Sequence, residues 1–505
     1  MTNRENKAQQ NPDTTREQLH ELAGQASEAS RPLAAMGARN RAELLRAMAA
    51  ALDARGEELV PLADKETALG TVRLQGELTR TTGQLRLFAD YLDEGSYVDA
   101  ILDRAQPGAT PPRPDLRRML HPIGPVAVYA ASNFPFAFSV AGGDTASALA
   151  AGCPVLLKEH PGHPKVSDAV ARTIEEVLRR AGAPSGSFAT VRGWSVGGDL
   201  IQAPEVMAGA FTGSVQGGRA LFDLAAARPD PIPFYGELGS LNPVVVTRRA
   251  ASERPAEIAA GLVQSFTMSV GQFCTKPGLV LVPSGTDLVR HVVEAAQDAH
   301  GGRMLTPRIA EGFRDRLMSL RGVDGVEELV VPAGGVRGAS ETGDAGEPVV
   351  LGTDTATLVE HGDVLLEECF GPVTVLVWYD DDGQLLAAVR SLPGSLTATV
   401  HGTDDDARAP WPVADSLRER AGRLVWNGWP TGVAVTWAMH HGGPWPATTA
   451  SQHTSVGMTA IRRFLRPLAY QDVPATLLPD ALQDANPLGI LRRVDGVATT
   501  ESFRP

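Results

Sequence analysis

The chain has 505 residues, of which 43% are hydrophobic, and its 59 acidic against 46 basic side chains give a formal charge of −13. That length predicts two or more lobes, and an acidic chain without a dense basic stripe excludes nucleic acid as the expected partner. No apolar run reaches the roughly 18 to 20 residues needed to span a bilayer, and the start, Met1 to Thr15, has no apolar signal core, so a cytosolic protein is expected.

Residues 1–15 (MTNRENKAQQNPDTT) are polar and read as a mobile tail. From Thr15 to about Leu102 apolar positions recur at helical spacing, as in AELLRAMAAALDARGEELV, and predict a helical layer. The proline-rich stretch Ala105–Leu120 interrupts it as an extended connector or edge hairpin. Short apolar runs then alternate with helical ones: GPVAVYAAS, DTASALAAG, PVLLKEH, SDAVARTIEEVLRRAG, FATVRG, GAFTGS and GGRALFDLAAA. This order predicts a parallel sheet covered on both faces, with ligand loops at the carboxyl ends of its strands. A second α/β segment runs from about Leu238 to Trp426, and the Gly-, Pro- and Trp-rich loops beyond it read as irregular structure packed on the rest.

The motifs GxGxxG, GxxxxGK[ST] and HExxH are absent. Gly193-Trp194-Ser195-Val196-Gly197 does fit GxSxG, which leaves a serine hydrolase built on Ser195 as one reading, although GGDLIQAPEVM after it is too interrupted for the long helix of a nucleophile elbow. Three widely spaced cysteines, Cys153, Cys274 and Cys369, argue against a disulfide framework or a Cys-rich zinc site. Cys274 lies among small and polar residues with Lys276 two positions on, an arrangement expected to expose the thiol and favour its thiolate. Cys153 and Cys369 read as packing residues. Glu237, between Gly236 and Leu238, is expected to be desolvated, with its pKa raised toward that of a useful base. Asn133, directly after a strand, either caps a turn or donates to an oxyanion. Lysine occurs only at positions 7, 65, 158, 165 and 276.

SNFPF, FTGSVQGG, ELGSLNP, GQFCTKPG and EECFGPV, in this order and spacing from about residue 20 to 470, resemble the aldehyde dehydrogenase superfamily. The loops ASNFPFAFSVAGGDTASALAAGCP, GRLVWNGWPTGV and AMHHGGPWPATT look closest to its α-ketoglutarate semialdehyde (2,5-dioxopentanoate) dehydrogenases and NADP-linked fatty aldehyde dehydrogenases. The resemblance implies an α/β fold of two Rossmann-like parallel-sheet domains with a small β oligomerisation element. The expected division is 16–237 for cofactor binding, with 105–120 as the oligomerisation hairpin, 238–427 for catalysis, and 428–505 for oligomerisation and substrate-side loops. It further implies Cys274 as nucleophile, Asn133 and the Cys274 N–H as oxyanion donors, and Glu237 as the base that hydrolyses the thioester.

For the cofactor it implies Gly213, Ser214 and Gly218 at the pyrophosphate, Lys158 on the adenosine ribose, Glu368 on the nicotinamide ribose and Phe370 beside the ring. Pro161 stands where NAD-specific members carry a glutamate that repels a 2′-phosphate. NADP is therefore the expected cofactor, with NAD possible and Arg192 as the candidate phosphate partner. A homodimer or homotetramer acting on a small aldehyde is expected, without metal. The substrate is read as α-ketoglutarate semialdehyde or, alternatively, a medium- or long-chain aldehyde; Phe134, Phe136, Phe138, Phe273, Trp429 and Trp437 either wall an apolar pocket for the latter or are simply core. Glu237 argues against transfer to CoA, and the set Asn133, Glu237 and Cys274 argues against a non-catalytic scaffold.

Overall fold

The computed structural model describes residues 12–330, 344–408 and 411–503. Residues 1–11 of the expected tail lie outside the described residues, and its last part is held in place. The Thr14 N–H donates to the Arg192 carbonyl at 3.0 Å, and Thr15 opens helix α1 (Arg16–Ala35) in a reciprocal capping box with Gln18.

Helices α2 (Gly37–Ala54), α3 (Gly56–Thr67) and α4 (Thr71–Glu94) complete the expected layer. Leu45, Met48 and Leu52 of α2 and Leu74, Leu78, Leu85 and Phe88 of α4 recur at three- and four-residue steps or their sums, and all are buried in one core. The proline-rich stretch then joins strands β1 (Ile101–Asp103) and β2 (Leu116–Pro122), which pair antiparallel. Late segments close this hairpin into a five-stranded sheet: Leu465–Gln471 pairs with β2, placing Leu468 against Met119, and Arg492–Val494 pairs with β1.

The alternating stretch forms an all-parallel sheet of β3 (Val126–Tyr129), β4 (Val155–Lys158), β5 (Phe188–Val191), β6 (Ala208–Thr212) and β7 (Phe234–Glu237), in the order β5-β4-β3-β6-β7. Both faces are covered, so β3 and β4 read VAVY and VLLK with every residue buried. Strand order reverses where β3 meets β6, which opens a crevice at the carboxyl ends. Helices α5 (Gly143–Ala151), α6 (Pro164–Arg180), α7 (Val196–Gln202) and α8 (Val215–Ala226) connect these strands.

A second sheet of seven strands has β8 (Val244–Val246) and β9 (Leu279–Pro283) near its centre. Val349–Asp354, Val373–Tyr379, Ser395–His401 and Ala421–Trp426 join them in parallel, and Glu327–Val330 runs antiparallel at one edge. Residues 427–457 form neither a helix nor an extended strand; an isolated bridge from Thr448 ties them to Glu237 at the end of β7. No helix among the described residues is long and apolar enough to cross a membrane.

Candidate active site

Glu237 is the last residue of β7, and the chain beyond it grips the Cys274 loop. Asn242, held at φ 51°, donates its Nδ2 to the carbonyls of Cys274 (2.8 Å) and Lys276 (3.0 Å), and the Gly278 N–H donates to the Leu241 carbonyl (2.8 Å). On the other side of the cysteine, Ser269, Val270 and Gly271 all take left-handed backbone conformations. At Gly271 (φ +65°) a Cβ would run into the Gly371 carbonyl, so only glycine lets this turn approach the loop that carries Glu368 and Phe370.

Lys276 does not face the thiol. Its buried Nζ donates to the carbonyls of Cys369 (3.0 Å) and Val373 (2.8 Å), which makes it a strut between the two loops and corrects the expectation that it favours the thiolate.

The loop over 427–457 delivers the residue that the sequence reading missed. His441 Nε2 lies 2.9 Å from Glu237 Oε1 and 3.6 Å from Cys274 Sγ. Its Nδ1 is buried without an acceptor among the described residues, which assigns the ring proton to Nε2 and makes His441 a donor to Glu237. The Ser455 hydroxyl donates to the other oxygen, Glu237 Oε2, and lies 3.1 Å from the His441 carbonyl. With the thiol as a further donor, Glu237 is a buried carboxylate that receives three hydrogen bonds.

This network reverses two expectations. Burial alone would push the Glu237 carboxyl up, but its interaction with His441 and the hydrogen bonds from His441, Ser455 and Cys274 outweigh it and hold the group below the usual carboxylate value. Cys274 is raised well above an ordinary thiol by burial, then by the charge and hydrogen bond of Glu237, with Glu368 adding to both and Arg80 opposing. The resting pair is thus a neutral thiol beside an ionised carboxylate. The signal in the sequence was the histidine pair of AMHHGGPWPATT, but its partner lies 204 positions away.

Asn133 follows β3 and donates its Nδ2 to the Gln272 carbonyl at 3.1 Å, which brings its amide beside the Cys274 loop. Among the described residues no backbone carbonyl takes the Cys274 N–H, so that donor is available to an oxyanion. Phe134, Phe138 and Phe273 form one aromatic cluster, with centroids 5.3 and 5.2 Å from Phe134. Phe136 is core, Trp429 packs on His401, and Trp437 stands on Tyr91 at the surface, so these three do not join that wall.

The residues expected at the cofactor sit at the carboxyl ends of the first sheet and on the facing loop. Lys158 ends β4; its buried Nζ makes one hydrogen bond, to the Glu159 carbonyl at 2.9 Å, leaving donors for a ribose. Ser214 caps α8, accepting from the Gly217 N–H at 3.2 Å. A Cβ at Gly218 would collide with Leu238, so glycine is what allows α8 to open against the strand ends. These amides and Lys158 suit a pyrophosphate and a ribose. Glu368 approaches Gly239, where a Cβ would meet its carboxylate; burial pushes it up to about 7 against the opposing pull of Lys276 and the Ser240 N–H.

Arg192 follows β5 but is engaged: its Nε donates to Glu159 at 3.0 Å and its Nη2 to Asp168 at 2.5 Å. Ser195 is exposed at the start of α7, which has 7 residues, and among the described residues no hydrogen bond ties its hydroxyl to a histidine. That location lacks the base and the long helix of a nucleophile elbow.

One parallel and one mainly parallel sheet, with a cysteine, a carboxylate and an amide converging at their strand ends, define an oxidoreductase of the aldehyde dehydrogenase type, and the chain belongs to the aldehyde dehydrogenase family, whose model matches residues 3–456. Among relatives, it is 46% identical over 490 residues to alpha-ketoglutaric semialdehyde dehydrogenase 2 of Azospirillum brasilense, covering 95% of this chain and 91% of that one. It is 43% identical over 463 residues to alpha-ketoglutaric semialdehyde dehydrogenase of Acinetobacter baylyi, covering 91% and 87%. Among solved structures, aldehyde dehydrogenase 21 of Physcomitrella patens in complex with the reaction product succinate shares the fold, with a TM-score of 0.76, 21% identity and 92% of both chains covered.

Proposed function

We propose that this enzyme oxidises α-ketoglutarate semialdehyde to 2-oxoglutarate through a thioester on Cys274. The observation that carries the mechanism is the Glu237 hub, in which an ionised carboxylate accepts from the neutral thiol while His441 and Ser455 hold it in place. Glu237 takes the thiol proton as Sγ attacks the aldehyde carbon, giving a thiohemiacetal. The Asn133 amide and the Cys274 N–H receive the oxyanion, each contributing about 3 kcal/mol. Lys158, Ser214 and Glu368 would hold NAD(P), which would supply the hydride acceptor that the oxidation of this adduct to a thioester requires. Glu237, having passed the thiol proton to solvent, takes a proton from the water that adds to the thioester carbon; the C–S bond breaks, the carboxylic acid leaves, and that proton passes to Sγ to restore the thiol. The substrate rests on the two relatives that are 46% and 43% identical, and Phe134, Phe138 and Phe273 support the second reading, an aliphatic aldehyde.

For the cofactor we propose Gly213, Ser214 and Gly218 at the pyrophosphate, Lys158 at the adenosine ribose, and Glu368 and Phe370 at the nicotinamide end. NADP is the preferred form on the strength of Pro161, and Arg192 serves a 2′-phosphate by releasing Asp168. Two or four copies assemble through the small sheet, whose strand Leu465–Gln471 is an exposed edge, and the protein works in the cytosol.

The test is absorbance of reduced nicotinamide with an aldehyde panel and either cofactor, run beside Cys274→Ala. Turnover that needs the cysteine and is fastest on the semialdehyde supports the reading; turnover indifferent to Cys274 refutes it.

A further inference from the structure

The face of α4 that looks toward the reacting residues carries two arginines and one glutamate at helical spacing, Arg73, Glu77 and Arg80. Glu77 is spent on the chain before α5: its Oε1 accepts from the N–H groups of Phe136 (2.8 Å) and Ala137 (3.0 Å), which holds the loop that presents Asn133. Arg73 donates to the Asn133 carbonyl at 2.6 Å and lies 3.9 Å from Glu77. Its guanidinium stacks on Phe134 and Phe273, the neighbours of Asn133 and Cys274, at 5.0 Å from each centroid.

Arg80 differs from both in that its guanidinium makes no hydrogen bond among the described residues: it lies over Phe138 and Phe134, at 5.3 and 5.9 Å from the centroids, and its Nε is buried with no acceptor. Among the described residues no carboxylate comes within ion-pairing distance of it. The first charge acting on it is that of Glu77, which is already bonded to the Phe136 and Ala137 N–H groups and makes no ion pair with it, so this half-buried cation is incompletely compensated and costly to keep unless something brings further negative charge. Phe134, over which it lies, packs on Phe273 beside Cys274 with centroids 5.2 Å apart, so it belongs to the reacting centre rather than to the outer surface, where the charges of Glu77, Cys274 and Glu237 act on it.

The other cations near the site are committed. Arg423 also acts on Cys274, but its terminal nitrogens donate to the carbonyls of Pro430 (2.6 Å) and Gly432 (3.2 Å). Arg463 is paired with Asp144 at 2.8 Å.

We propose that Arg80, set in the cage of Phe134 and Phe138 and backed by Arg73, is the subsite that receives the carboxylate of the substrate at the end remote from the aldehyde. This rests on the reading that the substrate is a semialdehyde of a dicarboxylic acid. The phenyl faces hold the guanidinium plane and the carbon chain of the substrate, and the planar fork takes two carboxylate oxygens, which a lysine cannot do. The subsite therefore selects short aldehydes that end in a carboxylate over neutral aldehydes of equal length.

The experiment compares wild type, Arg80→Met and Arg80→Lys on 2,5-dioxopentanoate and on pentanal, at saturating cofactor, with 2-oxoglutarate binding measured by calorimetry on the same samples. The ratio of kcat/KM for the dioxo acid over pentanal is expected to fall about 100-fold in Arg80→Met, through KM, with 2-oxoglutarate binding lost and Arg80→Lys recovering part of both. Any effect on the Cys274 thiol acts equally on the two aldehydes and cancels in the ratio. A ratio unchanged in Arg80→Met overturns the proposal, whether both activities fall together, as for a structural brace, or neither moves. A wild type that oxidises pentanal but not the dioxo acid overturns the substrate reading and this proposal with it.

Discussion

Replacing His441 by glutamine tests the hub directly. In the wild type the imidazole and Glu237 have side-chain exposures of 0% and 2%, so bulk water does not replace a lost partner. A hydrogen bond to a buried charged group is worth about 1.5 to 3 kcal/mol, and the upper figure corresponds to roughly 150-fold in rate. His441→Gln is therefore expected to lower kcat/KM by about 100-fold at pH 7. The pH profile carries the sign. Glu237 is held below its ordinary value, so its acid limb lies below the usual carboxylate range, and the stability from its ionised form is present above the unfolded value of 4.5 and lost as pH falls through the folded one. Without His441 and its bond, burial dominates and the limb moves up, so the variant regains activity as pH rises. Stopped-flow recording of nicotinamide reduction across pH 5 to 9 reads this. A variant with wild-type activity and an unmoved acid limb would refute the hub.

In the native enzyme iodoacetamide should label Cys274 alone, at a rate that climbs into alkaline pH because the thiol is raised, while Cys153 and Cys369, buried and pushed up to about 11, label only on unfolding; peptide mapping checks both. Glu368, raised to about 7, is expected to bind the cofactor more tightly as pH rises through 7, since its ionised form is the better acceptor for ribose hydroxyls, and fluorescence titration of reduced nicotinamide at pH 6 and 8 measures it. The stability linked to Glu368 runs the other way, being full below its unfolded value of 4.5 and lost as pH rises through 7, so Glu368→Gln should steepen neither limb of a melting-against-pH curve and should flatten the decline near 7. Gly271→Ala is expected to cost about 3 kcal/mol, from a left-handed backbone and a collision with the Gly371 carbonyl, and urea unfolding together with cofactor affinity reports it.

What was legible in the sequence is what local pattern encodes. Strands such as VAVY and VLLK announce a sheet buried on both faces, and the parallel order then places Asn133, Lys158, Ser214 and Glu237 at strand ends without further information. The electrostatic character of the site was not legible, because it is set by groups remote in the chain. Gly236 and Leu238 predict a desolvated carboxyl with a raised pKa, yet the donors that lower it, His441 and Ser455, are 204 and 218 positions away. Lys276 looks like an activator from its distance to Cys274 in sequence, and only the fold shows it turned to Cys369 and Val373. The helical periodicity over Thr15 to Leu102 says nothing of Arg73, Glu77 and Arg80, and Arg192 reads as a candidate phosphate partner. Whether each charge is compensated depends on packing: Glu159 and Asp168 pair with Arg192, whereas Arg80 lies on aromatic rings with no ion pair among the described residues. In this chain periodicity tells where a residue stands, and the tertiary partner decides what its charge can do.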